Sequence, residues 1–277
     1  MLTLGEYHNL TIDRDTPPGL FLINESGDEV LLPNKYKPES FEIGDEIRVF
    51  IYLDHDERPV ATNLTPKVKL DEFANLECVD VTDNGAFLDW GLEKHLFVPF
   101  AEQAYKMEVG GRYLIFCFLD EESQRLVASS RVNRYVDNSI LTVEEFDEVE
   151  LIVTNKTDLG YNMIINEIHL GLLYFDEVFE NYQTGDRLTG YIKKIRKDNK
   201  IDLTLSKFGY KSIEPNAQKI LDLLQKNDGF LPYHDKSDPK AIYNAFKMSK
   251  KAFKKAIGSL YKDKQISIVN GKGIQVK

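Results

Sequence analysis

The stretch Asp83–Phe100, DNGAFLDWGLEKHLFVPF, decides how the chain folds. Two short apolar runs joined by a Gly-containing turn read as two strands. In an extended segment, successive side chains point to opposite faces. Ala86, Leu88 and Trp90 then share one face, and Phe87 shares the other with Asp89. A ring on the same face as a carboxylate is expected to point toward solvent, so its stacking partner is the first question.

The same stretch is written three times. One glycine-to-glycine spacing recurs unchanged, from Gly19 to Gly44, from Gly85 to Gly110 and from Gly160 to Gly185. Each second glycine opens a strand-like run that turns and returns as RPVAT, RLVAS or KIDLTL. Pro33 and Pro99 stand equally far beyond Gly19 and Gly85, and Tyr174 takes that place beyond Gly160. Each unit of about 60 residues reads as three strands, a short helical link (AEQAYKM, FDEVFENY) and two more strands. Five strands in that length suit a small, partly open barrel of the OB type. A solenoid of three repeats is the competing architecture. The units are long and strand-rich, and the step from Gly85 to Gly160 is longer than that from Gly19 to Gly85. Uneven steps favour separate barrels.

The last segment differs in kind. PNAQKILDLLQKN carries a helical stripe at Ile220, Leu221, Leu223 and Leu224. SDPKAIYNAFK follows, with Ser237 or Asp238 as N-cap and Pro239 at the first helical position. MSKKAFKKAIGSLYKDK reads as a third helix capped by Ser249, and QISIVNGKGIQV as a hairpin turning at Asn270–Gly271. Three helices and a hairpin make a winged helix. The expected fold is mostly β with a C-terminal α/β part: three tandem OB-fold five-stranded barrels at 1–66, 67–140 and 141–212, then a winged-helix domain at 213–277.

Composition narrows the function. Hydrophobic content of 42% and aromatic content of 11% describe a folded chain rather than a disordered one. No apolar run approaches the length of a membrane-spanning helix, and MLTLGEYHNLTID lacks the layout of a signal peptide, so a cytoplasmic protein is expected. Cys78 and Cys117 sit in apolar strand-like runs and are expected as buried free thiols rather than a disulfide. The net charge of −10 conceals an asymmetry: residues 1–186 carry −23 and residues 187–277 carry +13. Such a split points to a polyanion-binding end.

The three units resemble S1 RNA-binding domains, a branch of the OB fold. GAFLDWGLEKHLFVPF followed by VGGRYLIFCFLDEESQRLVAS is close to that family's run of strands. The whole order, three S1-like domains and then a winged helix containing LPYHDKSDP and MSKKAFKKAIGSLYK, resembles the bacterial conserved virulence factor B family. That resemblance covers nearly the whole chain. It implies a cytoplasmic RNA-binding protein that affects gene expression, with no known catalysis. S1 domains usually present aromatics near the first glycine and an Asp and an Arg around the last turn. Phe87, Asp120 and Arg125 match these in the second unit, with Asn84 in place of the other aromatic. Phe21, Asp54 and Arg58 match in the first. In the third, Leu159 and Asn162 replace the aromatics, and Arg196 and Lys200 replace the Asp and Arg.

Single-stranded nucleic acid is held by exposed rings that stack on bases and by cations along the backbone. Phe21 and Phe87 supply rings, or else seal a seam between neighbouring domains. GYIKKIRKDNK places Lys193, Lys194, Arg196, Lys197 and Lys200 around a strand turn that OB folds use for oligonucleotides, or else forms a solvated hairpin. On the third helix Phe253, Ala256, Ile257 and Leu260 form a core stripe. Lys251, Lys255 and Lys262 fall opposite, with Lys250 and Lys254 flanking. From Asn216 onward the chain is rich in lysine and holds no arginine, which suits phosphate contact better than base reading. The five histidines are scattered, and no HExxH, paired CxxC, GxxxxGK[ST] or GxSxG occurs, so neither catalysis nor a cofactor or metal is expected. The leading expectation is a non-enzymatic binder of single-stranded RNA that modulates expression post-transcriptionally. A regulator gripping duplex DNA through the winged helix, and an adaptor for a ribosomal or polymerase component, are the alternatives.

Overall fold

The computed structural model describes residues 2–178, 180–207, 215–269 and 272–277. The chain divides into two compact units, Met1–Leu205 and Ser206–Lys277. Among the described residues no helix is long and apolar enough to cross a membrane.

The first unit is three closed five-stranded barrels. Barrel 1 comprises β1 (Tyr7–Thr16), β2 (Gly19–Ile23), β3 (Glu29–Pro33), β4 (Glu46–Leu53) and β5 (Pro59–Thr62). Barrel 2 comprises β6 (Phe73–Thr82), β7 (Gly85–Asp89), β8 (Leu96–Pro99), β9 (Arg112–Leu119) and β10 (Leu126–Ser129). Barrel 3 comprises β11 (Glu148–Lys156), β12 (Gly160–Ile165), β13 (His169–Tyr174), β14 (Arg187–Ile195) and β15 (Ile201–Thr204). In each, the long first strand pairs with both the second and the fourth, which closes the sheet. Each first strand carries an irregularity at the same place, between Ile12 and Arg14, Cys78 and Asp80, or Val153 and Asn155, where a bulge lets it coil between two neighbours. The expected helical link is shorter than the sequence suggests: a single 3-10 turn at Asn34–Tyr36, Phe100–Glu102 and Phe175–Glu177.

The repeated spacings have a steric origin. Gly19, Gly85 and Gly160 lie directly opposite Pro33, Pro99 and Tyr174 in the ladder between second and third strands. A Cβ at these glycines would sit 2.1–2.3 Å from the carbonyl oxygen of Leu32, Val98 or Leu173, so no larger residue fits. Gly44, Gly110 and Gly185 turn the chain into the fourth strand with φ of +99°, +82° and +91°.

The barrels pack against one another. Trp90, 3% exposed, leaves the second barrel's strand face to meet Phe50 and Tyr52 of the first at ring distances of 5.9 and 6.3 Å, edge to face. Phe73 and Phe116 of barrel 2 share a buried cluster with Ile152 and Ile164 of barrel 3. Tyr135 stacks on Phe116 at 4.2 Å to close it. His169, fully buried, anchors the connection into barrel 3. The Thr142 N–H donates to its Nε2 at 3.1 Å, so Nδ1 carries the proton and donates to the Asp137 carbonyl at 2.7 Å. Cys78 and Cys117 are both free and buried.

The second unit has α1 (Pro215–Lys226), β16 (Phe230–Leu231), α2 (Pro239–Phe246), α3 (Lys250–Lys262), β17 (Ile266–Val269) and β18 (Gly273–Val276). The strands form a sheet in the order β16-β18-β17. Asp238 caps α2 by accepting from the Lys240 and Ala241 N–H groups, and Ser249 caps α3 by accepting from Ala252. Ile220, Ile242, Phe253, Ile257 and Ile274 meet in one core. This is the winged helix. The expected turn at Asn270–Gly271 and the expected boundary at 212/213 lie outside the described residues.

Candidate nucleic-acid interface

Strand alternation sorts β7 as expected: Ala86, Leu88 and Trp90 are buried, while Phe87 and Asp89 are half-exposed. Phe87 does not stand alone. Its cross-strand partner on β8 is Phe97, with ring centroids 5.0 Å apart and planes inclined by 39°. The two rings line a cleft of about 490 Å³ between barrels 1 and 2. Tyr52, His55 and Glu57 contribute from the first barrel, and Lys94, His95 and Arg125 from the second. The seam itself is closed by Trp90, whose indole Nε1–H donates to the Lys94 carbonyl at 2.6 Å. The Lys94 ammonium donates to the Asp54 carbonyl at 2.7 Å. Burial pushes the Lys94 pKa down. No carboxylate pairs with this ammonium among the described residues.

The other matched residues fare differently. Phe21 occupies the position in barrel 1 that Phe87 holds in barrel 2, yet the guanidinium of Arg14 lies 4.3 Å over its ring. Glu29 pins that guanidinium with two hydrogen bonds of 2.8 and 2.7 Å. Arg58 folds back on Asp54, with Nε and Nη2 3.0 and 2.7 Å from Oδ2, and clips the turn between β4 and β5. Partial burial pushes the Asp54 carboxyl up, but the hydrogen bonds from Arg58 outweigh it and hold the group below the usual carboxylate range. Asp120 and Arg125 do not pair with each other through their side chains. Asp120 accepts from the Ser123 N–H and Oγ–H, and Arg125 reaches across the seam to Glu57 at 2.5 Å.

The basic turn of barrel 3 is partly neutralised. Lys193 pairs with Glu177 at 2.5 Å, Arg196 with Asp202 at 2.8 Å and Lys200 with Asp198 at 2.7 Å. Arg196 also donates to the Tyr174 hydroxyl at 2.5 Å. Lys194 and Lys197 are exposed and have no ion pair among the described residues. The turn therefore presents two uncommitted cations rather than five.

In the winged helix, α3 buries Phe253, Ala256, Ile257 and Leu260 and exposes Lys251, Lys254, Lys255 and Lys262, with Lys250 half-exposed. Gly258 lies on the exposed face, where a Cβ would meet nothing within 4 Å. Helical propensity alone disfavours glycine there by about 1 kcal/mol, so its use leaves a low point among lysines. Among the described residues no three of His, Cys, Asp and Glu could hold a metal ion. His234 sits 3.8 Å from Asp235, while Asp238 is committed to capping α2.

Sequence reading misses Arg14, Lys94 and Phe97. A signal for Phe97 is present. Once Gly85 faces Pro99, antiparallel register requires Phe87 to face Phe97. Arg14 and Lys94 have no such signal, because their partners are set by barrel coiling and barrel contact.

The S1 domain family matches residues 4–64, and the CvfB-like winged helix domain family matches residues 218–275. A Bacillus subtilis strain 168 protein, Uncharacterized protein YitL, is 30% identical over 277 residues, covering 96% of this chain and 92% of its own. Conserved virulence factor B of Staphylococcus epidermidis strain RP62A is 25% identical over 262 residues, covering 91% and 88%. A solved structure described as a multidomain protein with nucleic acid binding domains from Streptococcus pneumoniae TIGR4 aligns over 99% of this chain and 98% of its own, at 23% identity and a TM-score of 0.42. With an S1 domain at one end, the CvfB-like winged helix at the other and a whole-length relative at 30% identity, the chain belongs to the conserved virulence factor B family.

Proposed function

We propose that the chain is a non-enzymatic cytoplasmic protein that holds single-stranded RNA and so modulates gene expression post-transcriptionally. The S1-like domains are assigned to 1–66, 67–140 and 141–212 and the winged helix to 213–277. S1 and winged-helix domains are nucleic-acid-binding types, which supports the general reading. The observation that carries it is the α3 face, where Lys251, Lys254, Lys255 and Lys262 are exposed opposite a fully buried stripe. Lysines without arginine suit backbone phosphate, because guanine edges in a duplex are read best by the arginine fork. Phe87 and Phe97 supply stacking surface, and Lys194 and Lys197 further phosphate contact.

The test is competition between single-stranded RNA and duplex DNA of equal length over a salt series. RNA should compete better, and log affinity should fall linearly with log salt. Preference for the duplex at physiological salt would turn the reading toward a winged-helix DNA regulator. No nucleic-acid binding, with a protein captured after nuclease treatment, would turn it toward the adaptor.

A further inference from the structure

Barrels 1 and 2 carry a net charge of −13 over residues 1–140, and long-range electrostatics in that half disfavour a polyanion. The cleft at their seam has the opposite local character. Lys94 and Arg125 line it against one carboxylate, Glu57, and His55 and His95 line it as well. Its wall is aromatic, with Phe87 and Phe97 on one side and Tyr52 from the other barrel. At about 490 Å³ it falls within the range of pockets that enclose small ligands, about 300–1,000 Å³. Flat π surface beside fixed cations is the combination that a base with its attached phosphate requires.

The cations are placed before any ligand arrives. Trp90 grips the Lys94 carbonyl within barrel 2, and the Asp54 carbonyl of barrel 1 receives its ammonium, so Lys94 is tied at both ends and its ammonium crosses the seam. Arg125 is held by Glu57 from the facing barrel. A second cleft of about 350 Å³, lined by Lys35 and Arg58 against Asp54, Asp56 and Glu93, shares Tyr52, His55 and Lys94 with the first. Lys94 thus lines both clefts.

We infer that the seam cleft is a composite site for one nucleoside monophosphate unit, its base against Phe87 and Phe97 and its phosphate at Lys94 and Arg125, formed only where the two barrels meet. This rests on the RNA-binding reading for its natural source, a unit within a strand, although a free nucleotide offers the same chemistry. Positioning Lys94 requires Asp54 of barrel 1, so neither barrel forms the site alone.

Trp90 is the only tryptophan and lines the cleft, so its fluorescence reports occupancy. The full chain is titrated with the four ribonucleoside 5′-monophosphates and, separately, with a short oligoribonucleotide. Saturable change in Trp90 emission is expected in at least one arm. It should weaken tenfold or more in Lys94→Gln and in Phe97→Leu, with melting temperatures checked to exclude unfolding. Response to the oligonucleotide alone places the unit within a strand, and response to monophosphates alone makes it a free-nucleotide site. A Lys251→Glu/Lys254→Glu variant separates the two readings, since it leaves the cleft intact. If wild type binds the oligonucleotide but Lys94→Gln and Phe97→Leu bind it equally well with Trp90 silent, the cleft inference fails while RNA binding stands. If no RNA binds yet monophosphates still quench Trp90 in a Lys94-dependent way, the RNA reading fails and the cleft stands as a nucleotide site.

Discussion

The Arg14 guanidinium lies over the ring of Phe21 at 4.3 Å, whereas Phe87, at the equivalent position one barrel later, is paired with Phe97 and open to a cleft. The two rings share a strand position but not an environment. Arg14 is anchored by Glu29 and Asp13, so a base approaching that face of Phe21 must displace a held guanidinium. Phe21→Ala is expected to change RNA affinity by less than about 0.5 kcal/mol, and Phe87→Ala to weaken it by about 1–2 kcal/mol with little change in salt slope. Filter binding at three salt concentrations measures both. Equal losses at the two positions would remove the distinction.

The lysine face of α3 makes a different prediction. Lys251→Glu/Lys254→Glu should weaken binding of every RNA sequence and flatten the salt dependence, because phosphate contacts release counterions without reading bases. An unchanged slope would mean that α3 does not touch the backbone.

The repeated glycines predict unequal stability losses. Gly85→Ala puts a Cβ 2.3 Å from the Val98 carbonyl oxygen and 2.8 Å from the Phe97 ring, so a strand must move. A loss of more than about 3 kcal/mol is expected from such a clash. Gly110→Ala meets nothing within 4 Å and suffers only its positive φ of +82°, about 1–2 kcal/mol. Urea unfolding followed by Trp90 emission ranks the two.

Acid lability has named sources. Side-chain and then backbone hydrogen bonds from Ser123 hold the Asp120 carboxyl below the usual range, and Ser139 does the same for Asp137. A carboxyl with a lowered folded-state pKa stabilises fully above its unfolded value, about 4, and that contribution is lost as pH falls through the folded value. Ser123→Ala/Ser139→Ala should therefore be less stable than wild type at pH 7, with the gap closing as pH falls below the ordinary carboxylate value of about 4. A gap independent of pH would assign the loss to packing instead.

The thiols should be silent. Burial, reinforced by Asp71 and Glu72, pushes the Cys117 thiol up to about 12, and burial raises Cys78 as well. Neither should react with a thiol-disulfide reagent at pH 8 in the folded protein, and both should react on denaturation. Rapid labelling of native protein would report local opening of barrel 2.

Much of this molecule was legible in the chain itself, because the determinants are local. Gly19 and Pro33 repeat their spacing in Gly85 and Pro99 because each pair faces across one hairpin. Alternation placed Ala86 and Leu88 inside and Phe87 outside, and Asp238 and Ser249 cap their helices through bonds to residues two and three positions on. The tertiary structure alone decided which polar and aromatic groups are available. Arg125 meets Glu57 from the facing barrel, Trp90 turns into the seam and ties down Lys94, and Lys193 and Arg196 are claimed by Glu177 and Asp202. Those partners depend on how barrels coil and abut, which no periodicity encodes. A strand's pattern says which face a side chain takes, and only the packed neighbours settle what waits there.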